Sequence, residues 1–257
     1  MSVEKSPYTG AGGGDRNALS QVIPSALQAI RKTVKRNCIP YEEIPSQVLL
    51  STTNKEGKLD LSQWSLVATD DCIRAISCHN PGEIIHLNLS GADAVTDQGV
   101  QSLSKCCRLQ ELNLDNIFRL QTGLERVTEK CCAIRDLSLC GCLGLKAPQF
   151  ASLGQNARGL VSLKLSGCRQ ITPWAFMKLF EGLKLLELLD ISYCSLVTDQ
   201  EIKLLSESAR GLRRLNLREC KLVSDIGLTF LSQGCTELVD LNLRRSELPF
   251  RVTDVAL

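Results

Sequence analysis

The chain has 257 residues, of which 44% are hydrophobic and only 4% aromatic, and a formal net charge of +2. A balance this close to zero excludes the broad basic footprint of a nucleic-acid-binding domain, so no direct nucleic-acid contact is expected. No apolar run reaches the roughly eighteen residues of a membrane-spanning helix, and "MSVEKSPYTGAGGGDRN" at the start lacks the apolar stretch of a secretory leader.

Residues 1–17, rich in Gly, Ser and charge, read as a disordered tail. Residues 18–56 read as a helical N-terminal cap. Leu19, Val22, Ile23, Ala26, Leu27, Ile30 and Val34 follow a helical period, with Pro24 favouring a start near that residue. Pro40 and Pro45 punctuate the chain before "SQVLLST", a second short helix. "GAGGGD" at Gly10–Asp15 has no flanking strand, which argues against a phosphate loop.

From residue 57 to 257 the chain repeats. The first leucine of a Leu-x-Leu core falls at Leu59, Leu87, Leu112, Leu137, Leu163, Leu189, Leu215 and Leu241, in steps of 28, 25, 25, 26, 26, 26 and 26 residues. A period this constant predicts a stack of about eight strand-plus-helix units, none able to bury its apolar face alone. Cys142, Cys168, Cys194 and Cys220 each stand five residues after the strand leucine; Val95, Ile171, Val197 and Val223 stand eight after it. Thr-Asp, Thr-Pro or Ser-Asp then opens the helix, with Thr96 as N-cap and Asp97 placed for the positive first turn. Val100/Leu103, Phe150/Leu153, Phe176/Leu179, Ile202/Leu205 and Leu228/Leu231 should point inward. The units at Leu112 and Leu137 lack the Thr-Asp turn, and shorter or irregular helices are expected there. The last unit stops at "RVTDVAL", so an incomplete final repeat, from a fragment of a longer chain or an end shielded by a partner, is expected.

Thirteen cysteines raise the question of disulfides or zinc, but the count is odd and paired Cys-x-x-Cys knuckles are missing. Most fall on core positions, where a reduced thiol packs as a small apolar side chain. No metal and no cofactor is expected, and reduced thiols fit a cytoplasmic or nuclear protein. With His79 and His86 as the only histidines and no paired nucleophile in the frame, no enzyme is expected.

This pattern closely resembles the cysteine-containing leucine-rich repeat subfamily of F-box LRR proteins and mitotic-exit-antagonist-type LRR proteins. The resemblance covers Leu59 to Leu257. It implies an α/β solenoid with a concave parallel sheet inside and convex helices outside. It also implies a protein-binding scaffold, a substrate-recognition subunit linked to SCF-type ubiquitin ligation with Skp and cullin components as partners. The alternative is a cell-cycle regulator or a DNA-repair LRR subunit acting without an F-box. "IPSALQAI" faintly matches the opening of an F-box, but the later apolar and Trp positions do not follow, leaving a plain cap as the other reading.

The residues alternating with the strand leucines should face the concave side. They are acidic in the middle (Glu111, Asp115, Asp136), with Lys164 and Asp190 beyond, and basic at the C-terminal end (Arg214, Arg218, Arg244, Arg245). Tyr193 and Leu188 are the large side chains available to anchor a partner. An arginine cluster suits carboxylate or phosphate, hence an acidic or phosphorylated partner; a solvated face balanced by Asp190, Glu219 and Asp240 is the plainer alternative.

Overall fold

The computed structural model describes residues 57–62, 68–79 and 81–244. The expected tail and cap at 1–56, Trp64, Arg245 and the final "RVTDVAL" lie outside these residues.

Eight three-residue strands form one parallel sheet in sequence order. They are β1 Lys58–Asp60, β2 His86–Asn88, β3 Glu111–Asn113, β4 Asp136–Ser138, β5 Ser162–Lys164, β6 Leu188–Asp190, β7 Arg214–Asn216 and β8 Asp240–Asn242. Seven helices alternate with them: α1 Asp70–His79, α2 Asp97–Ser102, α3 Gly123–Lys130, α4 Ala147–Asn156, α5 Pro173–Gly182, α6 Asp199–Ser208 and α7 Asp225–Gly234. Each strand leucine pairs with its counterpart in the next repeat, Leu163 with Leu189 and Leu189 with Leu215, so the sequence frame is also the sheet register. This is the leucine-rich repeat solenoid. Strands stack about 4.8 Å apart while packed helices need 8–10 Å, so such a stack bends with its strands inside.

The cysteines explain why the frame wants a small residue with a weak donor. Past each strand the carbonyl of the second core residue accepts the amide three residues on, as Leu139 O does from Cys142 N and Leu165 O from Cys168 N, which leaves one lone pair in an apolar interior. The thiol of the following repeat meets it. Cys142 Sγ donates to Leu114 O at 3.0 Å, Cys168 to Leu139 O at 3.2 Å, Cys194 to Leu165 O at 3.4 Å and Cys220 to Ile191 O at 3.1 Å. The second cysteine position does the same at helix ends, Cys131 Sγ to Leu103 O and Cys235 Sγ to Ala209 O.

Neighbouring helices are tied by an aspartate clamp. Asp70 accepts from the amides of Thr96 and Gly99 and from the Thr96 hydroxyl. Asp97 accepts from the Gln121, Thr122 and Gly123 amides, and Asp199 from the Ser224 and Gly227 amides and the Ser224 hydroxyl. Asp97 stands in the first turn of its own helix, as expected, and its carboxylate also caps the helix start of the next repeat. Because the carboxylate lies against the backbone there, a Cβ at Gly99 or Gly227 would collide with it. Gly123, Ala147 and Pro173 supply no carboxylate at this position, and after Pro173 α6 supplies its own cap: Glu201 accepts from the Thr198 amide at 2.9 Å and from its hydroxyl.

One of the two expectations about helix length needs correcting. The unit at Leu112 does have a shorter helix, α3 of 8 residues, but the unit at Leu137 carries a full 10-residue α4. Pro148 in its first turn and Gln149, which accepts from the Lys146 amide, replace the missing Thr-Asp start. The irregular helix belongs to the unit at Leu87, where α2 ends after 6 residues in a 3-10 turn, Leu103–Lys105. All five inward pairs are buried.

Candidate functional site

The leucines of each strand face the helices, so the residues between and beside them line the open face of the sheet. Along β2 to β5 this face holds a groove of about 340 Å³ whose lining includes Asn88, Glu111, Asn113, Asp136, Ser138, Ser162 and Lys164. Glu111 and Asp136 occupy matching register positions on β3 and β4, and both are exposed. Glu111 Oε2 lies 2.8 Å from His86 Nδ1. Lys164 stands exposed at the far side. The groove can therefore hold a cationic or hydrogen-bonding group of a partner.

Asp115 and Asp190 lie on the same side but are engaged otherwise. Asp115 accepts from the Ser138 hydroxyl at 2.5 Å and the Cys140 amide at 2.8 Å. Asp190 accepts from the Ser192 amide and hydroxyl and from Asn216 Nδ2. They hold the turn after the strand, as Asn88, Asn113 and Asn216 do by accepting from the amide two residues on. Ser162 and Ser192, expected to face outward, are both covered by their surroundings, although Ser162 lines the groove.

At the other end, Arg214 and Arg244 are exposed on β7 and just past β8, and Arg218 is half-buried. Its guanidinium carbon lies 5.3 Å from the centroid of the Tyr193 ring, a cation–π stack. Leu188 is half-buried while Tyr193 is 41% exposed. Tyr193 does not lie on a strand. It occupies the turn four residues past Leu189, where the backbone is left-handed at φ 60°. Gly91, Gly141 and Gly167 take the equivalent turns at φ near 70°, and Asn116 and Glu219 do so at φ 60° and 61°. The sequence reading named Tyr193 as an anchor but missed the left-handed turn that carries it, although three of the six described members of its column are glycine.

The buried thiols are not set up for nucleophilic work. Burial pushes Cys142, Cys131 and Cys194 up to about 12 and Cys220, Cys106 and Cys235 up to about 11. Cys168 is raised further for the same reason. Catalytic cysteines are shifted the other way. Among the described residues, no group of three or more His, Cys, Asp or Glu could hold a metal ion.

A parallel strand-helix stack with a polar open face defines a leucine-rich repeat protein. The chain is similar to a chain in the crystal structure of the Rad7 and Elc1 complex from yeast, with 24% identity and a TM-score of 0.53 over 62% of this chain and 42% of that one. It is also similar to the leucine-rich repeat-containing protein LegL7 from Legionella pneumophila, with 18% identity and a TM-score of 0.48 over 72% of this chain and 64% of that one. The matched region thus spans less than two thirds of either structure's chain. No protein-family model matches the chain, and no curated protein does.

Proposed function

We propose that this protein is a non-catalytic scaffold whose open sheet face recognises another protein. The observation that carries this reading is Tyr193, held in a strained turn with its ring exposed under Arg218, between an acidic groove and an arginine-bearing end. Asn116 and Glu219 take the same left-handed turn, so what sets Tyr193 apart is its large exposed ring stacked with Arg218, the kind of side chain that anchors a partner. Opposite charges at the two ends would orient a partner of complementary polarity. The resemblance of the repeats to F-box LRR proteins supports the finer assignment, a substrate-recognition subunit of SCF-type ubiquitin ligation acting with Skp and cullin components in the cytoplasm or nucleus. The alternative is a cell-cycle or DNA-repair subunit that binds protein without ligase attachment.

Affinity capture with the full chain, read by mass spectrometry, separates the two. Skp and cullin peptides enriched with the wild type support the ligase assignment; a reproducible partner without them supports the alternative. Absence of any partner displaced by Glu111→Lys/Asp136→Lys or by arginine reversal contradicts the scaffold reading.

A further inference from the structure

Seven of the nine large hydrophobic side chains that the structure exposes lie on strand-to-helix loops or in the first turn of a helix. Phe118 (54% exposed) and Leu143 (55%) stand six residues after consecutive strand leucines, and Leu196 (42%) and Leu222 (55%) seven after another consecutive pair. Trp174 and Ile226 add half-exposed or more exposed surface at the second residues of α5 and α7. These loops stack in register beyond the strands: Gly141 N donates to Ser166 O and Tyr193 N to Arg218 O, both at 2.8 Å, and Thr198 bridges to Leu222. Equivalent positions are therefore neighbours, and the four loop residues form a row along one edge of the solenoid. From Phe118 to Leu222 it runs about 20 Å at the strand spacing.

Nothing in the fold calls for this row. The stack is already closed beneath it by Ile117, Leu145, Val197 and Val223, all buried. Charge on the same loops is one-sided. Arg119, Lys146 and Arg169 are exposed there, and among the described residues of the loops from β2 to α7 the one exposed acid is Asp93. The opposite, helix-to-strand edge is also basic, but three of its cations serve the fold. Arg108, Arg135 and Lys184 donate to the carbonyls of Gly82, Gly159 and Phe180. No such role falls to Arg119 or Arg169.

We propose that the strand-to-helix edge is a second docking surface, separate from the open face, for an acidic segment of a partner protein in which carboxylates alternate with large apolar side chains. The apolar pairs Phe118/Leu143 and Leu196/Leu222 would take the partner's apolar residues. Arg169, in the repeat between them, would meet its carboxylates. A row of protruding leucines and aromatics set among cations excludes water around each contact, the arrangement in which interfacial charge pairs gain most.

The test is a display selection of random 16-residue peptides on the full-length protein, followed by binding measurements on synthetic versions of the selected peptides. Recovered peptides should be enriched in Asp, Glu and large apolar residues and should bind more weakly as salt rises. Phe118→Ser/Leu143→Ser and, separately, Arg119→Glu/Arg169→Glu should each weaken them by about tenfold or more. Melting should be unchanged, and Arg214→Glu on the open face should bind as the wild type does. Peptides without acidic enrichment, or affinity indifferent to both edge variants, would overturn the proposal. So would a wild-type protein that binds phosphatidylserine vesicles or an oligothymidine strand through these residues while selecting no peptide.

Discussion

Four residues past each strand leucine the backbone must turn left-handed, and three of the described repeats meet this with Gly91, Gly141 and Gly167. At Tyr193 the conformation costs roughly 1–2 kcal/mol, while glycine's extra freedom in the unfolded chain returns about 0.5–1 kcal/mol of that. Tyr193→Gly should therefore leave stability unchanged or raise it by up to about 1 kcal/mol, and should weaken partner capture. A loss of more than about 1 kcal/mol in urea unfolding would show that the ring is structural. The cysteine column gives a second residue-scale test. Cys142, Cys194 and Cys220 are buried, and burial raises their thiols to about 12, 12 and 11, so almost no thiolate exists at pH 8. Maleimide at that pH should label exposed Cys107 and Cys132 first and reach the column only on unfolding. Early labelling of Cys194 would remove the account of the thiol-to-carbonyl ladder.

Between elements, the strongest local tie is the carboxylate that caps the next repeat's helix. Burial alone would raise the Asp97 carboxyl, but the Gln121, Gly123 and Thr122 amides and the Thr122 hydroxyl together hold it below its ordinary value. A folded-state value below the unfolded one means its contribution is complete above about pH 4 and disappears as pH falls through the lowered value. Asp97→Ala should cost roughly 1–2 kcal/mol at pH 7, and the gap to wild type should close in acid. A gap constant down to pH 2 would show the clamp is not electrostatic. This tie was only half legible in the sequence. Thr96-Asp97 was readable as a helix start, but a partner some 25 residues downstream escapes any reading confined to one repeat. The signal was present across repeats: Gly99 and Gly227 follow units that supply an aspartate, and Glu201 follows Pro173, which cannot.

At the scale of the molecule, the ladder of leucines was legible in full because its period and its register are the same fact. The open face was legible as a set of positions but not as a set of free groups. Asp115 and Asp190 are outward positions in the frame, as Glu111 and Asp136 are, and only the turn geometry shows that the first two hold the loop after the strand. Leu215, buried at the centre of β7, should not tolerate charge; Leu215→Arg should cost roughly 3 kcal/mol or more. Amides around Leu241, whose side chain is half-buried, should exchange faster than those around fully covered Leu163.

The most direct measurement of the central claim, that the open face is what this protein presents to its partner, is capture by Arg214→Glu/Arg218→Glu/Arg244→Glu beside the wild type across a salt series. The account predicts an unchanged circular dichroism spectrum, loss of the captured partner, and wild-type capture that falls as salt shortens the screening length below about 8–10 Å. Full capture by a correctly folded triple variant, indifferent to salt, would contradict it.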